Sequence, residues 1–197
     1  MSVAARATQP QVERFEALYE ASPDPWRYRT SSYERRKYAD TLAALPDDAL
    51  GPSLDVGCSI GVFTRQLAAR SESVLGLDFS TRAVAIARER LRGVENVRLH
   101  VGQFPHDAPD GPWDVIVCSE ILYYLDPEEL ASAIAWLSTQ LTAGSCVLAV
   151  SWRGVGIDEP LRGDDVHDAL RRELGPWHAY DGRRPCYRLD RFDGGGS

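Results

Sequence analysis

The residues best placed to do chemistry begin in the stretch LDVGCSIG, residues 54–61. A short apolar run closes at Asp55, and a turn carrying Gly57, Cys58, Ser59 and Gly61 leads into an amphipathic helix, VFTRQLAAR. Glycine tolerates φ > 0 and lets a ligand lie against bare backbone. About twenty residues after the turn, a second apolar run, SVLGLD, ends at Asp78. That is the offset of a ribose-binding acid at the tip of the next strand, where one carboxylate can accept from both ribose hydroxyls. Two ligand types fit such a turn. A dinucleotide calls for G-x-G-x-x-G, so that its pyrophosphate rests on the helix N-terminus. That pattern is missing here, which disfavours a nicotinamide-dependent oxidoreductase. The acid ahead of Gly57 would repel a pyrophosphate and suits an ammonium group.

Alternating strands and helices must hold these residues. After the glycine turn come the apolar runs SVLGLD, NVRLHVGQF, WDVIVCS and SCVLAVSW, separated by TRAVAIARERLR, a turn-rich loop PHDAPDGP, and a helix from Pro127 to Leu141. This is the signature of an α/β fold, a doubly wound, mostly parallel sheet covered on both faces. A late helix, DDVHDALRREL, precedes two weaker strands, WHAYD and CYRLDRF, expected as an antiparallel hairpin at the sheet edge. Two helices, PQVERFEALYEA and SSYERRKYADTLAAL, come before the sheet, joined by SPDPWRYRT. Tyr33, Tyr38, Leu42 and Leu45 recur at helical spacing and mark a buried face, while Arg35, Arg36 and Lys37 read as a solvated basic run. The expected division is a helical lid over residues 1–50, a core over 51–193 and a flexible tail over 194–197.

A chain of 197 residues suits a single domain. Its net charge of −7 argues against nucleic acid, whose phosphates need a basic footprint. No run reaches the length of a membrane span, and MSVAARATQP lacks an apolar signal core, so a cytoplasmic protein is expected. Cys58, Cys118, Cys146 and Cys186 are far apart with no metal-ligand spacing, and reduced thiols, three of them buried, are expected.

The pattern D-x-G-x-x-x-G followed by Asp78 resembles the first motifs of class I S-adenosylmethionine-dependent methyltransferases. DPWRYRTSSYERRKY and SEILYYL are similar to the NodS family within them. The resemblance implies S-adenosylmethionine as cofactor and N-methylation of an amino sugar or related small amine, with a hydroxyl acceptor as the alternative. It places Asp55, Gly57, Cys58, Ser59 and Gly61 around the methionine end, Asp78 and Phe79 at the ribose, and Gln103 and Phe104 at the adenine. Ser119 and Glu120 then leave the fourth strand beside the methyl. Glu120 would accept the proton of an arriving ammonium or orient it. Of the adjacent Tyr123 and Tyr124, one faces the site and the other the core. Among His100, His106, His167 and His178, the preferred alternative base is His167. Trp26 or Tyr33 would cover the cofactor with an aromatic face, and Arg35 would pair with its carboxylate.

Overall fold

The structure is a computed structural model that describes residues 9–156 and 159–195. Helices α1 (Gln9–Ala21) and α2 (Ser32–Ala43) lead into β1 (Leu50–Val56), α3 (Val62–Ala68), β2 (Ser71–Asp78) and α4 (Thr81–Arg90). There follow β3 (Val97–Val101), β4 (Val115–Ser119), α5 (Pro127–Gln140), β5 (Cys146–Trp152), α6 (Gly163–Glu173), β6 (His178–Arg183) and β7 (Tyr187–Asp193). A single 3-10 turn, Leu122–Tyr124, connects β4 to α5.

The seven strands form one sheet in the order β3-β2-β1-β4-β5-β7-β6. The first five run parallel, and β7 inserts antiparallel against β5, leaving β6 at the edge. Strand β4 shows why both faces stay dry. Val115 and Val117 join Phe63 and Leu67 of α3, while Ile116 and Cys118 join Leu130 and Ile134 of α5. A period of two along an apolar run sends alternate side chains under opposite helix layers. Strand order reverses at β1, which has β2 on one side and β4 on the other. The carboxyl ends of β1 and β4 therefore part into a crevice, where a ligand can enter an open α/β sheet.

Two boundaries differ from expectation. Strand β1 starts at Leu50, in register with Ser71, so the sheet begins inside the segment assigned to the lid. The first tail residue is fixed, because the Gly194 N–H donates to the Ser145 carbonyl at 2.8 Å. Gly196 and Ser197 of that tail, and the first eight residues of the lid segment, lie outside the described residues. Cys58, Cys118 and Cys146 are buried free thiols and Cys186 is exposed. Among the described residues, no helix is long and apolar enough to cross a membrane.

Candidate functional site

The crevice holds a cavity of about 320 Å³ whose floor is the glycine turn. Gly57 sits at φ 75°, and a Cβ there would approach Ile121 to 3.1 Å, so only glycine leaves this backbone open to the cavity. Ser59 also has a positive φ, 49°. It is held there by its N–H, which donates to Asp78 Oδ2 at 2.9 Å, while Asp78 Oδ1 accepts the Ser80 N–H at 2.9 Å. Burial pushes the Asp78 carboxyl up to about 6, against the pull of those two backbone donors. Asp55 lies behind the turn, bonded by the Thr64 hydroxyl at 2.7 Å, and burial raises it to about 7. Gly61, also at φ 75°, faces α4: a Cβ there would fall 2.8 Å from Leu91. That close approach to α4 is what the glycine is needed for here.

The chain before the sheet forms the roof. Tyr19 of α1 places its hydroxyl 2.5 Å from that of Ser59, and Gln11 Nε2 donates to the Tyr124 carbonyl at 3.1 Å. Glu16 Oε1 accepts the Thr81 N–H at 2.7 Å and so satisfies one of the open donors in the first turn of α4. Trp26 follows on a loop closed by Asp24, whose carboxylate accepts the N–H groups of Tyr28 and Arg29. Phe15 packs on Trp26 at 5.8 Å and edge-on against Phe79 and Tyr124 at 5.3 and 5.2 Å. The result is an aromatic wall facing the carboxyl ends of the strands.

On the opposite wall the chain leaves β4 at Glu120, which has φ 59°. Its Oε1 accepts from Lys37 Nζ at 2.9 Å. Its Oε2 accepts from the Tyr123 hydroxyl at 2.5 Å and the Trp152 N–H at 3.1 Å. Burial, then the adjacent Glu120 charge, raises the Tyr123 phenol well above its ordinary value, so it stays a neutral donor. Lys37 is only 2% exposed and also meets Glu34 Oε2 at 3.0 Å. Burial raises the Glu34 carboxyl, and Lys37 opposes that shift. The cavity lining thus sets Glu34, Asp78, Glu120 and Glu159 against Lys37, its one cation among the described residues. Such a lining favours a cationic guest.

Trp26, Tyr33, Gly57, Ser59, Asp78, Phe79, Gln103, Phe104, Ser119, Glu120 and Tyr123 all line this cavity. Asp55 and Cys58 line a smaller pocket of about 30 Å³ beside it, shared with Gly57, Ser59, Lys37 and Glu120. Gln103 is oriented by Asp107, which accepts its N–H at 2.9 Å, and Phe104 is pinned edge-on to Trp136 at 5.4 Å. Tyr123 and Tyr124 both reach the lining, their rings 4.6 Å apart, because a 3-10 turn rather than an α-helix carries them. Two expectations are corrected. Arg35 is exposed and donates to the Thr30 carbonyl at 2.8 Å, outside the lining. His167 is fully buried between α6 and β7, its Nδ1 2.7 Å from Asp190 Oδ2, and does not line the cavity. Arg188 and His178 also pair with Asp190 there.

Sequence reasoning missed Lys37 and Glu34. The signal was present: Glu34, Lys37, Tyr38 and Thr41 fall on one face of α2, and all four are buried. Reading Arg35, Arg36 and Lys37 as one solvated run hid it. Gln11, Phe15, Tyr19, Tyr28, Trp152 and Glu159 also line the cavity without having been singled out.

A family model described as nodulation protein S, NodS, matches residues 12–154. Nodulation protein S of Sinorhizobium fredii is 29% identical over 119 residues, which are 59% of this chain and 55% of that protein. The chain spans about half to two thirds of the length of the curated nodulation proteins it matches. A candidate methyltransferase of known structure from Pseudomonas syringae is 34% identical, with a TM-score of 0.72 over 82% of this chain and 99% of that one. The N-methyltransferase NodS of Bradyrhizobium japonicum WM9, solved with S-adenosyl-L-homocysteine, is 22% identical and has a TM-score of 0.75 over 95% and 98% of the two chains. The fold shared with these structures is the Rossmann-like methyltransferase fold.

Proposed function

The chain belongs to the NodS family, and from that membership we propose that it is a methyltransferase using S-adenosylmethionine to methylate the nitrogen of an amino sugar or related small amine. The residues present suit that cofactor. Gly57 offers bare backbone to the cavity, and the Tyr33 hydroxyl, on the same lining, is buried with no hydrogen-bond partner. Asp55, Gly57, Cys58 and Ser59 would hold the methionine end, Asp78 and Phe79 the ribose, and Gln103 and Phe104 the adenine. Trp26 and Tyr33 would close over it, with residues 9–45 acting as the lid. When bound, the cofactor supplies an activated methyl carbon for in-line displacement.

The protein's part is then positioning, an entropic contribution of up to ~7–11 kcal/mol. The observation that carries the amine reading is the lining of Glu34, Asp78, Glu120 and Glu159 against Lys37. An acceptor ammonium is drawn to those carboxylates, and Glu120, fixed by Tyr123 and the Trp152 N–H, orients it. A nitrogen must lose its proton before it can attack, and Glu120 is the carboxylate assigned to receive it.

The test is a panel of amines and alcohols incubated with labelled S-adenosylmethionine, with the methylated atom then identified. Chitooligosaccharides carrying one free amine belong in the panel beside their fully acetylated forms. Label on nitrogen is expected. Label confined to hydroxyl oxygens would move the reading to an O-methyltransferase.

A further inference from the structure

Arg35 was expected to meet the cofactor's carboxylate, and the structure places it elsewhere, on the surface against Thr30. A carboxylate entering this cavity meets an acidic lining, and Lys37 is the one cation on it among the described residues. Lys37 also lines the smaller pocket beside the glycine turn, together with Gly57, Ser59 and Ser119. Its ammonium carries three donors. Glu34 and Glu120 lie at 3.0 and 2.9 Å from it, and the Tyr33 ring centroid lies 5.1 Å away. A lysine 2% exposed and held between two carboxylates has no solvent partner to give up when a ligand arrives.

We propose that Lys37 is a shared cation: it clamps Glu120 in the free protein and binds the cofactor's carboxylate when the site fills. This rests on the methyltransferase reading above. It makes Glu120 a competitor for the same ammonium. Binding of the cofactor's amino-acid end then loosens the Lys37–Glu120 pair and leaves Glu120 a stronger acceptor for the incoming ammonium. Lys37 is thus the specificity residue for the methionine portion, and the adenosine portion is held without it.

Calorimetry with two probes separates the parts: S-adenosylhomocysteine, which carries the carboxylate, and methylthioadenosine, which lacks it. In the unmodified protein the first should bind more tightly. Lys37→Met should weaken S-adenosylhomocysteine by about ten- to a hundredfold and leave methylthioadenosine unchanged. Glu120→Gln should act in the opposite direction and tighten S-adenosylhomocysteine, because the competitor has lost its charge. A purely structural ion pair predicts that both variants weaken both probes.

Because Lys37→Met strands two carboxylates, Glu34 and Glu120, the triple variant Glu34→Gln, Lys37→Met, Glu120→Gln is measured beside it, with circular dichroism to verify folding. Equal loss for both probes, or no loss for either, in the folded triple variant overturns the proposal while leaving the cofactor reading intact. An unmodified protein that binds neither probe overturns that reading and the proposal together.

Discussion

The hydroxyl of Tyr19 lies 2.5 Å from the hydroxyl of Ser59, forty residues further along the chain. This bond ties α1 to the glycine turn itself. Burial raises the Tyr19 phenol, so it remains protonated and the bond is neutral. The roof of the cavity is therefore fastened to its floor at the point where a ligand would displace or reinforce the contact. Tyr19→Phe should speed limited proteolysis of the segment around Trp26 several-fold, since an open roof exposes more backbone. S-adenosylhomocysteine should slow the same cleavage in the unmodified protein. Cleavage indifferent to both the substitution and the ligand would assign residues 9–45 to the scaffold rather than to a lid.

Asp78 has two duties, one seen and one proposed. It braces the Ser59 and Ser80 N–H groups, and it is assigned to the ribose hydroxyls. Asp78→Asn keeps the size and one carbonyl acceptor but removes the charge. A charge-assisted bond contributes roughly 1.5–3 kcal/mol, so affinity for S-adenosylhomocysteine should fall about ten- to a hundredfold. An unchanged dissociation constant would reduce Asp78 to a brace of the turn.

The parallel core was legible because its strands are continuous apolar runs ending in acids or small residues, and a strand buried on both faces needs that composition. Asp55 and Asp78 stood out because a carboxylate at the end of such a run is costly unless something uses it. Lys37 was hidden for the opposite reason. Its neighbours Arg35 and Arg36 are exposed, and a basic triplet reads as one solvated surface unless the helix is projected onto its faces. The His167 assignment failed because position along the chain cannot show that α6 packs this residue onto Asp190 of β7. Leu50 was placed outside the sheet because Gly51 and Pro52 look like a linker. Pairing with β2 overrides that local preference.

His167 should matter to stability and not to ligand binding. Burial lowers its pKa and favours the neutral ring, though Asp190 pulls the other way. Burial also works against the charge of Asp190, but the bonds from His167 and Arg171 hold that carboxyl well below the usual range. His167→Leu removes one donor to a buried carboxylate, a loss of about 1–3 kcal/mol. Urea unfolding should register it, while S-adenosylhomocysteine titration should give the unmodified affinity. A loss of affinity with unchanged stability would return His167 to the active site.

Asp55 makes the free protein's stability depend on pH in a direction unusual for a carboxylate. Its folded pKa is raised to about 7 from an ordinary 3.8, chiefly by burial, with Thr64 opposing the shift and Asp78 adding to it. Between those two values the unfolded chain has released the proton and the folded chain still holds it. The folded state binds more protons there, so stability falls as pH rises through this window. The contribution is fully present below about pH 4 and is lost by about pH 7. One proton sets a limiting slope of about 1.4 kcal/mol per pH unit. Asp190 contributes with the opposite sign, but only below the ordinary carboxylate pKa, so it is constant above about pH 5. Asp55→Asn cannot ionise and keeps an acceptor for the Thr64 hydroxyl. Urea unfolding of the two proteins from pH 5 to pH 8 reads Asp55 together with its coupling to Asp78, because the His167 contribution is common to both and cancels. The stability of the unmodified protein relative to the variant should decline across that range and level off above about pH 7. A difference that stays constant from pH 5 to pH 8 would mean that Asp55 is already ionised in the folded protein throughout that range.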